Sequence, residues 1–288
     1  MKLARFWSRQ TAEAADRNGR PVRAAARGWS NESIESASAM ALAIAQRVAQ
    51  IIAGGQTKLA RYQYGDRPIP EPVTREFVDG SDLCAVVTRN IYGAFVLNAR
   101  DLMFVDIDVE STPDQSVKGV VSGLLSMFGR KPEASPPPSD QSEDAVRRVA
   151  DEHGLPMRLY KTAGGYRAII TKGSYDTTAD PTQALLREFG ADPLYIHLCR
   201  QQESFRARLS PKPWRIGMRP PTVSFPYETA NAQSRFDDWD AKYQAASAPF
   251  ATCRFVGQYG SGDTAPGFGE LIAYHDQETK ATSGLPLA

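Results

Sequence analysis

The sequence predicts an α+β fold with an antiparallel-rich mixed sheet flanked by helices. Three observations predict it. Short apolar runs at 83–88, 94–98 and 102–106 are separated only by turn residues around Asn90 and Gly93 and at 98–101, the pattern of a strand meander. Two further runs, 157–160 and 166–171, bracket the turn Lys161-Thr162-Ala163-Gly164-Gly165. Stretches of helical spacing lie on both sides. Ile34, Ala37, Met40, Ala41, Ile44, Val48 and Ile51 form one, and Phe236, Trp239 and Tyr243 another.

A chain of 288 residues can bury a sizeable core as one large or two small domains. Hydrophobic residues at 42% and charged residues at 23% describe an ordinary globular chain. The formal net charge of +1 gives no bulk attraction for nucleic acid or membrane, so any basic site must be local. Residues 1–20 carry charges throughout and lack an apolar leader, and no window reads as the ~18 apolar residues of a span. The expectation is a cytoplasmic protein with no membrane partner. Cys84, Cys199 and Cys253 are far apart in sequence, which points to reduced thiols rather than a disulfide framework or a zinc site.

Taken in order, residues 1–28 are polar, rich in Ala and Arg and without clear period, and read as a flexible basic arm. Residues 29–82 form a helical segment and connector. Ser30 and Asn31 are N-cap types, Gly54-Gly55 stops the helix, and Pro68, Pro70 and Pro72 keep the connector extended before a short helix near 73–78. Residues 83–225 form the α/β core. Within it, 111–142 is rich in Ser, Pro, Gly, Asp and Lys and reads as a mobile insertion with a short apolar piece at 117–128. A helix capped by Ser139 or Asp140 runs to His153, another spans 181–189, and strands follow at 194–199 and 205–209. Residues 226–288 add the aromatic helix, a strand around Phe255 and a Gly-rich polar tail.

Three stretches carry candidate chemistry. In the first, the apolar run 102–105 leads into Asp106-Ile107-Asp108, and strand alternation puts both carboxylates on one side. Paired carboxylates repel unless a cation separates them, and magnesium or manganese takes oxygen ligands. Asp106 and Asp108 are the candidate metal ligands, with Glu110 on the same face; a strand end with solvated acids is the competing reading. In the second, Gly164 and Gly165 let backbone N–H groups approach a phosphate, with Lys161, Thr162 and Arg167 beside them, against the reading of a plain hairpin turn. In the third, Arg206 and Arg208 share a strand face, with Arg200, Lys212 and Arg215 nearby. They suit a triphosphate or nucleic-acid backbone, or else pair with the protein's own acids, Asp106 and Asp108 among them. Trp214 beside Lys212 is placed to stack a base or to pack a rigid loop. His153, His197 and His275 have no convincing Ser or Cys partner, and there is no Walker loop, nucleophile elbow or Gly-x-Gly-x-x-Gly.

In their order, these stretches resemble the archaeo-eukaryotic primase (primase-polymerase) family over roughly residues 83–215, as a divergent bacterial branch. Phe104-Val-Asp-Ile-Asp108 looks like its acidic strand, Lys161-Thr-Ala-Gly-Gly-Tyr-Arg-Ala-Ile169 like its Gly-rich turn and strand, and 199–212 like its Arg-bearing segment ending in Ser-Pro-Lys. The resemblance implies an RRM-like core and a divalent-metal-dependent nucleotidyltransferase, with a role in DNA replication or repair. Asp106, Asp108 and Asp192 would be catalytic with Mg2+ or Mn2+. Lys161, Thr162, Gly164, Gly165, Arg167, Arg206, Arg208 and Lys212 would bind a nucleoside triphosphate, with nucleic acid as partner. The chain departs from the pattern at Arg167, where the family has His, and Asp192 is placed by loose spacing. A catalytically inactive nucleotide- or nucleic-acid-binding module of the same fold is the alternative reading, and an internal ion-pair network is a third.

Overall fold

The computed structural model describes residues 1–55, 67–108 and 142–288. The other residues, including Glu110, most of the expected insertion and the apolar piece at 117–128, lie outside the description.

The chain opens with two ten-residue strands, β1 (Phe6–Ala15) and β2 (Pro21–Ser30), in an antiparallel hairpin that pairs Phe6 with Ser30 and Ala15 with Pro21. Helix α1 (Ile34–Ala53) follows, capped by the Ser33 hydroxyl, which accepts from the Ser36 N–H. Ala37, Ala41, Ala45 and Ala49 form its buried stripe. Alanines at this spacing let the helix lie almost in contact with the strand backbone. Gly28 completes the fit, because a Cβ there would collide with the Ala37 carbonyl and the Ala41 amide. The first 30 residues are therefore an ordered hairpin clamped by a helix, in place of the expected loose arm. By length and mean hydropathy (1.3) α1 would also suffice to cross a membrane, which the sequence reading did not anticipate.

Strands β3 (Val73–Asp79), β4 (Asp82–Arg89) and β5 (Phe95–Ala99) make an antiparallel meander, with β3 where a short helix was expected, and the strand expected at 102–106 is not its third member. The acidic strand β6 (Phe104–Asp108) leaves that sheet. After α2 (Glu143–Glu152) come β7 (Met157–Thr162) and β8 (Gly165–Ile170), and β6 pairs with β8. Helices α3 (Asp180–Glu188) and α4 (Pro193–Gln202) then lead to β9 (Phe205–Arg208), which pairs with β5. The segment at 194–199, expected as a strand, is thus helical. Its cap Asp192 and its first residue Pro193 favour that start.

Helix α5 (Ala230–Ser247), strand β10 (Cys253–Tyr259) and helix α6 (Phe268–Thr279) complete the chain. Among the described residues there are two four-stranded antiparallel sheets, in the orders β3-β4-β5-β9 and β10-β7-β8-β6. Phe104, Leu159, Ile169, Phe205, Leu186 and Ile272 belong to one continuous core. The tail expected to be polar and irregular is largely α6, whose Phe268, Leu271, Ile272, His275 and Thr279 are buried at helical spacing.

Candidate functional site

The site is built on one row of cross-strand neighbours. Asp106 on β6 pairs in register with Arg167 on β8, Arg167 with Tyr160 on β7, and Tyr160 with Phe255 on β10. One step along β6, Asp108 faces Gly165. Strand alternation therefore puts Asp106, Asp108 and Arg167 on one face, and the missing side chain at Gly165 leaves Asp108 open.

Arg167 is completely buried. Its Nε donates to Asp106 Oδ1 at 3.0 Å, and its Nη1 donates to the Arg208 carbonyl at 2.8 Å. Nη2 also lies 3.0 Å from Asp106 Oδ1 but out of line for a hydrogen bond. Arg167 is thus an anchor for Asp106 and has no surface to offer a nucleotide, which corrects its assignment as a phosphate ligand. Arg206 is corrected too. It donates to both carboxylate oxygens of buried Glu71 (2.8 and 3.0 Å) and to Asn98 (2.8 Å), so its charge is consumed. Lys161 lies over the Tyr166 ring, with Nζ 4.0 Å from its centroid, and the Thr162 hydroxyl accepts from the Gly164 N–H at 3.3 Å.

What remains gathers around Asp108. The Asp192 N–H donates to the Asp106 carbonyl at 3.1 Å, which docks the start of α4 beside β6. The Asp192 carboxylate caps that helix, accepting from the Tyr195 N–H at 2.8 Å. Burial pushes the Asp108 carboxyl above the usual carboxylate range, and Asp106 and Asp192 push it further. Burial likewise raises Asp192 against the hydrogen bonds that cap its helix, with Asp106 adding to the rise. Asp108 is exposed, with Asp106 and Asp192 close enough to raise it and Lys212 and Arg208 close enough to lower it.

Three cations stand opposite. Burial lowers Arg208 to about 10, with Arg167 beside it. Burial lowers Lys212 to about 8, and Arg208 and Arg215 hold it down while Asp108 and Asp106 pull it up. Arg215 sits in the short 3-10 helix Pro213–Ile216, and a Cβ on Gly164 would lie 3.0 Å from its Nη2 and 3.3 Å from Asp108 Oδ1. Gly164 is therefore the floor between an acid and a base. Tyr243 on α5 braces the segment before Lys212, donating to the Pro211 carbonyl at 2.6 Å and meeting the Ser210 hydroxyl at 2.7 Å. Among the described residues, Asp108, Asp192, Arg208, Lys212 and Arg215 form no ion pair within 4.0 Å.

Among the described residues no group of three His, Cys, Asp or Glu side chains is close enough to hold a metal. What they offer is a carboxylate pair, Asp106 and Asp108, with one Asp106 oxygen already engaged. That donor set does not form a protein cage. It does fit a magnesium ion that arrives on phosphates, which needs only one or two carboxylates.

Sequence reasoning missed His275. It lies fully buried behind Arg167, with Nε2 3.4 Å from Arg167 Nη1. The helical spacing of apolar residues through 268–279 was the signal that could have found it.

Comparison of the chain with protein-family models, curated proteins and solved structures finds no match.

Proposed function

We propose that the site around Asp108 binds a nucleoside triphosphate with a divalent cation, within a primase-like nucleotidyltransferase. One observation carries the reading. Carboxylates (Asp108, Asp192) and cations (Arg208, Lys212, Arg215) gather near one another without direct pairing among the described residues. An internal network would neutralise itself by contact, as Arg206 and Glu71 do. Charges of both signs kept apart suit a ligand that itself carries both, a polyphosphate with its metal.

The connectivity supports the same reading. The order β6, α2, β7, β8, with β8 between β6 and β7, is compatible with the first three strands of an RRM-like βαββαβ unit, while β9 pairs with β5 in the other sheet rather than with β6. In this reading Lys212, Arg208 and Arg215 hold the phosphates, and Gly164 lets the ligand approach the turn. A magnesium or manganese ion would be held by Asp106 and Asp108, where it supplies charge neutralisation and favours ionisation of the attacking hydroxyl. Asp192 adds negative charge beside them.

A binding module without turnover is the second reading. It is favoured by Arg167, which occupies an oxygen of Asp106 that a catalytic metal site would use.

Titration calorimetry with a mixture of nucleoside triphosphates, with and without manganese, tests both. Binding that requires the ion and is lost in Asp108→Asn supports the site. Binding indifferent to metal and to Asp108 overturns it. Incorporation of labelled nucleotide into a primed strand separates the transferase from the module.

A further inference from the structure

Helix α6 carries the side chain that completes the anchoring of Asp106, although it lies far along the chain. His275 is fully buried, its ring 4.9 Å from that of Tyr160 and 5.9 Å from that of Phe104 by centroid. Its Nδ1 lies 3.0 Å from Asp276 Oδ1, and Asp276 Oδ2 accepts from Arg158 Nη2 at 2.6 Å. Arg158 Nε in turn donates to the Tyr160 hydroxyl at 2.8 Å.

These contacts fix the ring's protonation. Asp276 accepts, so Nδ1 carries the hydrogen. Nε2 then presents a lone pair toward Arg167 Nη1, which has only hydrogens to offer. Burial agrees, holding His275 down to about 4 and so neutral. An apolar residue would fill the same space but leave a buried guanidinium hydrogen without an acceptor. Arg167 has none to spare, since Nη2 already lacks a hydrogen-bond partner.

We propose that His275 is a positioning residue: neutral, with its tautomer set by Asp276, it holds the Arg167 guanidinium in the orientation that aims the Asp106 carboxylate into the Asp108 site. The functional consequence rests on the nucleotide reading above. The positioning itself does not, and the experiment separates the two.

The first arm is NMR of the arginine side-chain N–H signals in the full chain. Wild type and His275→Gln, whose amide oxygen can stand where Nε2 stood, should both show slowly exchanging Arg167 signals. His275→Phe and His275→Asn, neither of which offers an acceptor there, should lose that protection at Nη1. Unchanged protection in folded His275→Phe or His275→Asn overturns the proposal, and if His275→Phe does not fold, His275→Asn carries the arm. The second arm is calorimetry with manganese-nucleoside triphosphate and, separately, inorganic tripolyphosphate in chelator. The acceptor-lacking variants should weaken the metal-dependent binding about 10- to 100-fold, as loss of a supporting contact does at metal sites, while tripolyphosphate binding stays as in wild type. Equal loss of both would make His275 merely structural and overturn the proposal. Absence of nucleotide binding in wild type would sink the nucleotide reading alone, and the NMR arm would still decide the positioning.

Discussion

Arg167 and Asp106 face each other across β8 and β6 with Nε and Nη2 both 3.0 Å from one oxygen, yet the two partners are unequally buried. The arginine side chain is 1% exposed and the aspartate 31%. Removing the carboxylate strands a buried charge, whereas removing the guanidinium frees an acid that water can reach. Asp106→Ala should cost about 3–5 kcal/mol and Arg167→Met about 1–3 kcal/mol in urea unfolding. Equal costs would mean that the pair is not the anchor described.

Asp108 should show the opposite balance of function and stability. Burial raises its pKa in the fold above the usual carboxylate range, so folding disfavours its ionised form. The stability this group allows is fully present below its unfolded pKa and is lost as pH rises through the raised folded pKa, so the deficit persists at neutral pH. Asp108→Asn should therefore melt slightly higher than wild type at pH 7 and the same at pH 3, while metal-dependent nucleotide binding disappears. Because the group is open to water on one side, the gain is small. A lower melting temperature at pH 7 would show that Asp108 has a structural partner.

His275 sets an acid limit. Its pKa falls from 6.5 to about 4 on folding because burial disfavours the imidazolium. A depressed histidine contributes stability that is complete above the unfolded value and is lost as pH falls from 6.5 toward 4. The loss is on the order of 3 kcal/mol. Urea midpoints at pH 7, 5.5 and 4 should follow this course, and His275→Gln should flatten it. Parallel acid limbs in the two proteins would remove His275 as the cause.

Two glycines should respond differently to alanine. At Gly28 the added methyl meets helix backbone, which cannot yield, so α1 must lift from the hairpin at a cost of about 3 kcal/mol. At Gly164 it meets the flexible ends of Arg215 and Asp108. Thermal unfolding should barely change there, while nucleotide affinity falls. A stable Gly28→Ala would contradict the close packing of helix on hairpin.

Much of the frame was legible where local chemistry and burial agree. The acidic strand at 104–108, the hairpin around Gly164 and the aromatic face of α5 all followed from alternation, turn residues or helical spacing. Other elements were hidden because their partners decide them. Residues 6–30 are too rich in Ala and Arg to read as strands, and they form a strand hairpin against which the alanine stripe of α1 lies. Val73 and Phe77 fall at a helical interval, but the Arg, Glu and Asp around them belong to an exposed strand. In the site, alternation correctly put Arg206 and Arg208 on one face. Their fates differ because Glu71 and Asn98 wait for the first and not the second. No local pattern in the sequence carries that information.

The three partners of Arg167 sit 61, 41 and 108 residues away along the chain, at Asp106, Arg208 and His275. Loops of that length must close before any of those contacts forms, which places the site among slow, non-local folding events. During synthesis, at about 5–20 residues per second, the strands of both sheets, β10 included, are made before α6. For that interval the guanidinium of Arg167 has its acid and its carbonyl but no imidazole. The Asp106–Arg167 pair thus gains its last neighbour late, when α6 docks.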